Sequence, residues 1–231
     1  MKRLHVIVLT LATICAAVPA RAQTAPSAEQ ASRYTGLHAA SHTGDLAALD
    51  RLLAAKPAPE LLNGRDPNGR TPLHVATFAR QREVIRKLAA AGADLNRLED
   101  DRYDAVTIAA VAGDDETLRL LLALGASAKQ TTSRYDGTAL IAAAHLGHDG
   151  VVRQLIAAGA PRDHVNNLHW TALIEAVVLG DGGPRHQAVV RALVAARANP
   201  QLADREGRTP LQLARSRGYA AIVRELEAAD R

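Results

Sequence analysis

The sequence predicts an all-α fold, a solenoid of helix-turn-helix units joined by short β-hairpin fingers. The first observation is a period: one apolar position returns along the 231-residue chain with spacings of 33, 34, 33 and 38 residues, at Leu73, Val106, Leu140, Leu173 and Leu211. The second is that polar residues and glycines recur at fixed distances from this position. A period of roughly 20 to 50 residues indicates stacked copies of one unit that cannot bury its own apolar face alone.

Each unit opens with a short helix that a hydroxyl side chain begins and a glycine ends. A threonine oxygen can accept hydrogen bonds from free N–H groups of the first turn, and the threonines concerned are Thr71, Thr138, Thr171 and Thr209. Glycine suits the left-handed residue after a helix end, and the glycines at the matching place are Gly44, Gly113, Gly147, Gly180 and Gly218. Asp104 stands in place of one threonine and Arg80 in place of one glycine, so we expect local strain at Arg80.

A second helix follows in each unit, and a turn then leads to the next. Val84, Ile85 and Leu88 show the apolar spacing of a helix. The run from Asp66 to Gly69, Asp-Pro-Asn-Gly, is typical of a tight turn and predicts a finger between neighbouring units. The predicted repeat domain covers residues 36–231, with units at 36–65, 66–98, 99–132, 133–165, 166–203 and 204–231.

The fifth unit carries five extra residues, which the spacing places between its two helices, around the glycine-rich run from Gly180 to His186. Lengthening a surface loop costs little free energy, on the order of 0.6 kcal/mol per doubling of its length. The insertion is therefore predicted to be a surface loop that adds nothing to the core. The residues alone leave open whether the insertion has a function.

The motifs of the units resemble those of the ankyrin-repeat family. The second unit reads TPLHVA from Thr71, and TALIAA, TALIEA and TPLQLA follow in later units; the resemblance covers roughly residues 36 to 229. It implies a protein-binding scaffold in which the ring of His74 bonds the backbone of an adjoining unit. The fifth unit, with TALIEA and LGDGG, is similar to a variant unit of bacterial ankyrin proteins.

Residues 1–22 have the pattern of a secretory signal. Lys2 and Arg3 form a basic start, 13 largely apolar residues follow up to Val18, and Ala20 and Ala22 supply small residues for cleavage. Together with the bacterial resemblance, this predicts a periplasmic or secreted protein with no membrane span after cleavage. Residues 23–35 are predicted to form a flexible N-terminal segment.

Cleavage would also change the charge and the cysteine content. The net charge of +4 falls to about +1 when the three basic residues of the signal are lost, and no basic stripe remains, so no nucleic acid partner is expected. The single cysteine, Cys15, would leave with the signal, so the mature chain could form no disulfide. Lipid attachment at Cys15 is an alternative, but Ile14 lies where such sites prefer a small residue.

The candidate partner-binding residues follow from the family resemblance. The position before each first helix lies on the finger and faces partners in the family, and here it holds Arg70, Tyr103, Gly137, Trp170 and Arg208. Aromatic residues and arginine are the types enriched in binding hot spots. Phe78, His145 and Glu175 on the first helices, with Asp181 and Arg185 in the insertion, complete the predicted surface. A competing interpretation is that Trp170 only covers the next finger.

The predicted function is non-enzymatic protein binding by a monomer, without cofactor or metal. No catalytic or nucleotide-binding motif is present. Within this class, the chain could be an immunity or protective factor for a periplasmic enzyme or toxin, including one in oxidative-stress defence. The alternatives are a small hydrolase or metal protein that uses His145, His148, Glu175 and Asp181, and a purely structural spacer.

We predict that the mature chain begins at Gln23, because Ala20 and Ala22 provide the two small side chains that the signal peptidase accepts. N-terminal sequencing of the exported protein measures this directly. Recovery of a chain that retains Met1 in the membrane fraction would show that the segment is an anchor.

Overall fold

The computed structural model describes residues 23–229, and they form a row of stacked helix pairs. The helices in chain order are α1 (Ala28–Ser32), α2 (Gly36–Thr43), α3 (Leu46–Ala54), α4 (Pro59–Leu62), α5 (Pro72–Phe78), α6 (Arg82–Ala90), α7 (Ala105–Val111), α8 (Asp115–Ala123), α9 (Ala139–His145), α10 (Asp149–Ala157), α11 (Ala172–Val178), α12 (Pro184–Ala195), α13 (Pro210–Ser216) and α14 (Ala220–Ala229). The first helices of the units, α2, α5, α7, α9, α11 and α13, pack against one another in sequence. The second helices, α3, α6, α8, α10, α12 and α14, form the other layer. The all-α solenoid is confirmed.

The predicted caps are present at the first helices. The hydroxyl oxygens of Thr71, Thr138, Thr171 and Thr209 each accept a hydrogen bond from the backbone N–H three residues later. At α7 the side chain of Asp104 caps the helix in the same way, since its oxygen accepts a hydrogen bond from the N–H of Thr107 at 2.7 Å. Aspartate is as good a cap as threonine, so this departure from the repeat leaves the helix start intact.

The helix ends differ from the prediction at one glycine. Most of the predicted glycines are left-handed, and Arg80, which replaces one of them, adopts the same conformation with φ of 56°. A left-handed arginine is strained relative to glycine, as expected from the sequence. The prediction for Gly180 was wrong, because the left-handed glycine of the fifth unit is Gly182, with φ of 69°.

The fingers are tighter than predicted. Among the described residues, a β-bridge forms only between Thr132 and Gly137. The finger of the second unit instead closes as a five-residue turn, in which the N–H of Asp66 donates to the carbonyl of Arg70 at 2.9 Å. The same backbone bond closes the fingers at Glu99, Asn166 and Asp204. The expectation of β-hairpin strands is therefore corrected to tight turns, each closed by one such bond.

A single apolar core runs through the stack. It contains buried alanines at one repeated position of the first helices, each no more than 1% exposed: Ala76, Ala109, Ala143, Ala176 and Ala214. Small side chains allow helix axes to approach closely, and leucines such as Leu140 fill the space between units. Every inner unit thus relies on both neighbours to cover its core.

The insertion in the fifth unit is only partly a loop. Three residues separate α9 from α10 and five separate α11 from α12, so two extra residues lie in the loop. The other three lengthen α12, which has 12 residues where α10 has nine. His186 is buried and its ring contacts the backbone of the preceding unit. The prediction of a surface loop was therefore wrong for the residues that extend α12 and for His186, although residues 180–186 are not part of the apolar core.

The segment predicted to be flexible, residues 23–35, contains an ordered helix. Ser27 and Gln30 form a reciprocal capping box at the start of α1. The amide of Gln30 donates to Asn68 at 2.9 Å, and the hydroxyl of Tyr34 donates to Asp66 at 2.7 Å. These bonds fasten the segment to the finger of the second unit. The predicted signal, residues 1–22, lies outside the described residues.

We expect Leu140→Ala to destabilise the chain by about 2 to 5 kcal/mol, because it leaves a cavity in a core that two units share. Leu211 occupies the same position in the terminal unit and is only partly buried. Leu211→Ala should therefore lower the unfolding free energy by less than Leu140→Ala and should loosen only that end of the chain. Hydrogen exchange measures both effects. A uniform opening of the whole chain in Leu211→Ala would contradict independent loosening of the end.

Candidate partner-binding surface

The fingers form a connected row beside the first helices. The N–H of Ser133 donates to the carbonyl of Arg102 at 2.9 Å, and the N–H of Asn167 donates to the carbonyl of Tyr135 at 2.9 Å. Ion pairs such as Arg102 to Asp136, at 2.7 Å, also join neighbouring fingers. We call the surface formed by the fingers and the ends of the first helices the inner face. Backbone bonds between fingers hold it in one register.

Three of the predicted finger residues present side chains at this surface. Tyr103 and Trp170 are half-buried, and Arg208 is exposed although it pairs with Asp204 at 2.8 Å. The ring of Trp170 packs partly against the core. It therefore has a structural contact as well as a surface in solvent. Gly137 is buried and contributes no side chain.

Arg70 is not exposed, contrary to the prediction. It is 5% exposed, and its guanidinium donates to the carbonyl of Thr24 at 2.8 Å and to the side chain of Gln30 at 3.3 Å. The group also lies 5.7 Å from the ring centroid of Phe78, which is half-buried. The cause is the N-terminal segment, which covers this end of the inner face. A motif around Arg70 cannot show that residues 40 or more positions earlier in the chain, Thr24 and Gln30, bury its side chain.

Sequence reasoning missed two exposed leucines on the inner face. Leu146 and Leu179 follow the last residues of α9 and α11, at the same position of consecutive units, and are 38% and 45% exposed. The corresponding residues of two earlier units are the alanines Ala79 and Ala112. The sequence signal that could have identified this surface is the change from alanine in the earlier units to leucine in the fourth and fifth, just after the first helix. Exposed apolar side chains in adjacent units form a patch of the kind that partners bind.

Glu175 is buried, which corrects the expectation that it lines the open surface. One carboxylate oxygen accepts from the amide of Asn166 at 3.1 Å, and the other lies 3.7 Å from Nδ1 of His145. The side chain of Glu175 is only 7% exposed, whereas that of His145 is 34% exposed. Burial raises the pKa of the Glu175 carboxyl to about 7, although the bond from Asn166 opposes the rise. Burial, with the nearby His186, lowers the pKa of His145.

Asp181 and Arg185 in the insertion are exposed, as predicted, but a neighbour gives Asp181 a structural contact. Its carboxylate caps the loop by accepting from the N–H of Gly183 at 2.8 Å and lies 2.8 Å from Nδ1 of His186. Nε2 of the same ring lies 2.9 Å from the carbonyl of His145. His186, which is not among the predicted surface residues, therefore ties the insertion to the preceding unit.

The four residues of the hydrolase or metal alternative do not converge on one point: His145 lies 3.7 Å from Glu175, but His148 and Asp181 bond elsewhere. Nε2 of His148 lies 3.2 Å from the carbonyl of Val111, so this ring braces one unit against the preceding one. Asp181 is engaged by His186, and Glu175 by Asn166. Within residues 23–229, no group of three histidine, cysteine or acidic residues is placed to hold a metal ion. The geometry gives this alternative no support.

Comparison with known proteins identifies the class. A family model described as ankyrin repeats, in three copies, matches residues 10–99 and 106–204. An ankyrin repeat protein of Escherichia coli (strain K12), YahD, is 35% identical over 169 residues, which are 73% of this chain and 84% of that protein. The crystal structure of an ankyrin repeat domain from Acinetobacter baumannii AYE has 44% identity and a TM-score of 0.78, covering 84% of this chain and 97% of that domain.

The chain belongs to the ankyrin-repeat family. A more distant structure, the predatory endopeptidase Bd0816 of Bdellovibrio bacteriovorus in complex with the immunity protein Bd3460, shares the fold at 21% identity and a TM-score of 0.69, covering 84% of this chain and 98% of the matched chain. Ankyrin repeats form an interaction scaffold, so the fold and the inner face together define a protein-protein interaction module. In the described part of the chain, every helix is too short or too polar to cross a membrane.

We predict that Glu175→Gln stabilises the protein at pH 8 but not at pH 4. The carboxyl of Glu175 has a pKa of about 7 in the folded chain against an ordinary value of 4.5, so its contribution to stability is fully present below pH 4.5 and is lost as pH rises through about 7. The shift corresponds to about 3 kcal/mol. Glutamine keeps an acceptor for Asn166 and has no charge to bury.

Urea unfolding of both chains between pH 4 and pH 8 measures this difference. Comparing the two chains cancels the contribution of His74, whose pKa burial lowers to about 4. A gap in unfolding free energy that stays constant across this range would show that the carboxyl ionises without penalty.

Proposed function

We propose that this chain is a non-enzymatic binding module, exported to the bacterial periplasm, that recognises a protein through its inner face. The observation that carries the proposal is the patch of Leu146 and Leu179, two exposed leucines at the same position of consecutive units. The half-buried Trp170 is at the opposite, finger end of α11. Neither leucine is needed for stacking, since alanine occupies the same position in other units. Apolar side chains in solvent cost solubility, so a partner that covers them explains their presence.

The surface around the patch is suited to recognition. Tyr135 on the finger of the fourth unit is also exposed, and the bonds between fingers hold these side chains in place before binding. Preorganisation reduces the entropy lost on association. The proposal of export rests on the basic start, apolar run and small residues of positions 1–22.

Affinity capture from a periplasmic extract tests the proposal. The three baits are the wild-type chain, a control variant and a variant without the leucine patch. We expect a dominant protein to be retained by the wild-type chain and by Leu61→Gln, a control that alters an exposed leucine on α4. The double variant Leu146→Gln and Leu179→Gln should bind at least about tenfold more weakly, because it removes the apolar contact.

Circular dichroism of all three baits checks that the fold is retained. Equal binding by the double variant and the control would place the partner on another surface. Absence of any retained protein would favour the structural spacer.

A second candidate is an immunity or protective factor, which keeps a periplasmic enzyme or toxin inactive or stable. The observation that favours it is the shared fold with the complex of Bd0816 and the immunity protein Bd3460. Activity measurements on the captured partner separate the two candidates. Inhibition or protection by the wild-type chain, but not by the double leucine variant, supports this role, whereas unchanged activity and half-life argue against it.

A further inference from the structure

We propose that the N-terminal segment, residues 23–35, covers a second part of the partner-binding surface, where Arg70 binds an acidic side chain of the partner protein. Binding displaces the segment from the finger of the second unit. The inference rests on the proposed function, because it adds a charged contact to the inner face. It names the chemical class that this contact takes: the carboxylate of an aspartate or a glutamate.

The side chain of Arg70 lies on the inner face, beneath the N-terminal segment. It starts from the finger of the second unit and reaches toward the end of α5, since its guanidinium carbon lies 5.7 Å from the ring centroid of Phe78, the last residue of that helix. Arginine is among the residues most enriched in binding hot spots. The position therefore suits a contact with a partner, but the segment closes it.

The N-terminal segment is held by hydrogen bonds rather than by burial. The bonds run from Thr24, Gln30 and Tyr34 to the polar side chains of one finger, that of the second unit. No residue of the segment is buried, and none belongs to the apolar core. Its helix α1 has only five residues, too few for a stable helix without tertiary contacts. The core of the stack therefore does not depend on the segment.

The fit between the segment and Arg70 is imperfect. Among the described residues, Nε of Arg70 and the side-chain nitrogen of Gln23 are buried without a hydrogen-bond partner. A buried donor without a partner costs free energy, because it has lost its bonds to water. This cost opposes the docked state of the segment.

The terminal unit shows the same arginine position without a segment over it. Arg208 and Asp204 correspond to Arg70 and Asp66. The side chain of Arg208 is 54% exposed, and its nearest nitrogen lies 2.8 Å from Asp204. The side chain of Arg70 is 6% exposed, and its ion pair with Asp66 is 3.7 Å long. Arginine at this position is thus accessible from solvent unless the N-terminal segment lies over it.

One edge of the Arg70 guanidinium favours a carboxylate. In Arg208, Nε and Nη2 lie 3.0 and 2.8 Å from the same carboxylate oxygen of Asp204. In Arg70, Nη2 donates to the neutral carbonyl of Thr24 at 2.8 Å, and Nε is the nitrogen without a partner. A carboxylate in place of this carbonyl would accept from both nitrogens and would balance the charge. A neutral group would offer no more than the segment already does.

The segment and the partner compete for this site. The apparent affinity of the partner is lowered by the fraction of molecules in which the segment is docked. Substitutions that weaken the bonds of the segment should therefore strengthen binding, although the altered residues do not contact the partner.

The first test uses N-acetyl-glutamate amide with the full chain and does not need the natural partner. The double variant Gln30→Ala and Tyr34→Phe, which loosens the segment, is compared with the wild-type chain and with Arg33→Ala. Arg33 is an exposed residue of the same segment that pairs with Glu29, so its variant is the control. The uncharged probe of the same shape is N-acetyl-glutamine amide, at equal ionic strength.

The Nε–H signals of Arg70 and Arg208 in proton–nitrogen NMR report binding. We expect the Arg70 signal to shift saturably with the charged probe, with a Kd at least about threefold lower in the double variant than in the wild-type chain and in Arg33→Ala. The Arg208 signal should shift less, because Asp204 already accepts from its Nε.

Three results would contradict this expectation. No shift at Arg70, an equal shift at both arginines, or an equal effect of the two probes would overturn the carboxylate site. An equal Kd in all three chains would overturn the competition with the segment.

The second test uses the partner captured by the inner face. Arg70→Lys keeps the charge but loses the paired donors, so it should weaken binding about tenfold. The double variant of the segment should strengthen binding about threefold. Circular dichroism checks that both variants keep the fold.

The outcomes separate this inference from the proposed function. Wild-type affinity in Arg70→Lys and in the double variant of the segment would overturn the inference while leaving the proposed function intact. If the leucine double variant instead binds normally, the proposed function fails, and the NMR titration still decides on the Arg70 site.

Discussion

The structure depends on one constraint: a pair of short helices cannot cover its own apolar face. The first helices have seven or eight residues, which is too short for a stable isolated helix in water. All of them except α2 have a side-chain cap at the start. Each packs against the first helix of its neighbouring unit or units. Contacts across units, such as the ring of His38 with the carbonyl of Arg70 at 2.9 Å, follow from this requirement. Stacking therefore determines which positions are buried and which remain for binding.

The same constraint explains how the insertion is accommodated. His148 precedes α10 and contacts the carbonyl of Val111, the last residue of α7. His186 contacts the carbonyl of His145, the last residue of α9, although it lies within α12 rather than before it. The extra residues thus shift the histidine along the chain without losing the bond between units. The fifth unit can therefore be longer than the others, because the histidine still reaches the carbonyl at the end of the preceding first helix.

The inner face contains two kinds of position: some remain exposed when the units stack, and one is buried by stacking and is apolar in the other units. Leu146 and Leu179 are at free positions, where a change of side chain has little effect on the core. Glu175 is at a filled position, and its ionisation is opposed by burial. Binding surfaces on repeat proteins change readily at the first kind of position, whereas a carboxyl at the second kind costs stability when it ionises.

The sequence by itself determined the repeat, the caps and the order of helices. These features follow from local chemistry, since the threonine oxygens, the carboxylate of Asp104 and the left-handed Arg80 act on residues next to them in the chain. The apolar period then predicted which helices stack. For the candidate surface, the sequence correctly indicated that Tyr103 and Trp170 lie on fingers and that Arg208 is in solvent.

Only the tertiary structure decided how the predicted surface is occupied. Arg70 is covered because residues 23–35 fold back onto the second unit, and Glu175 is buried because α9 and the finger at Asn166 close around it. Both outcomes depend on contacts between segments that are distant in sequence. Periodicity shows which positions are equivalent, but burial depends on the size and direction of side chains from other units. That information is present only once the units are stacked.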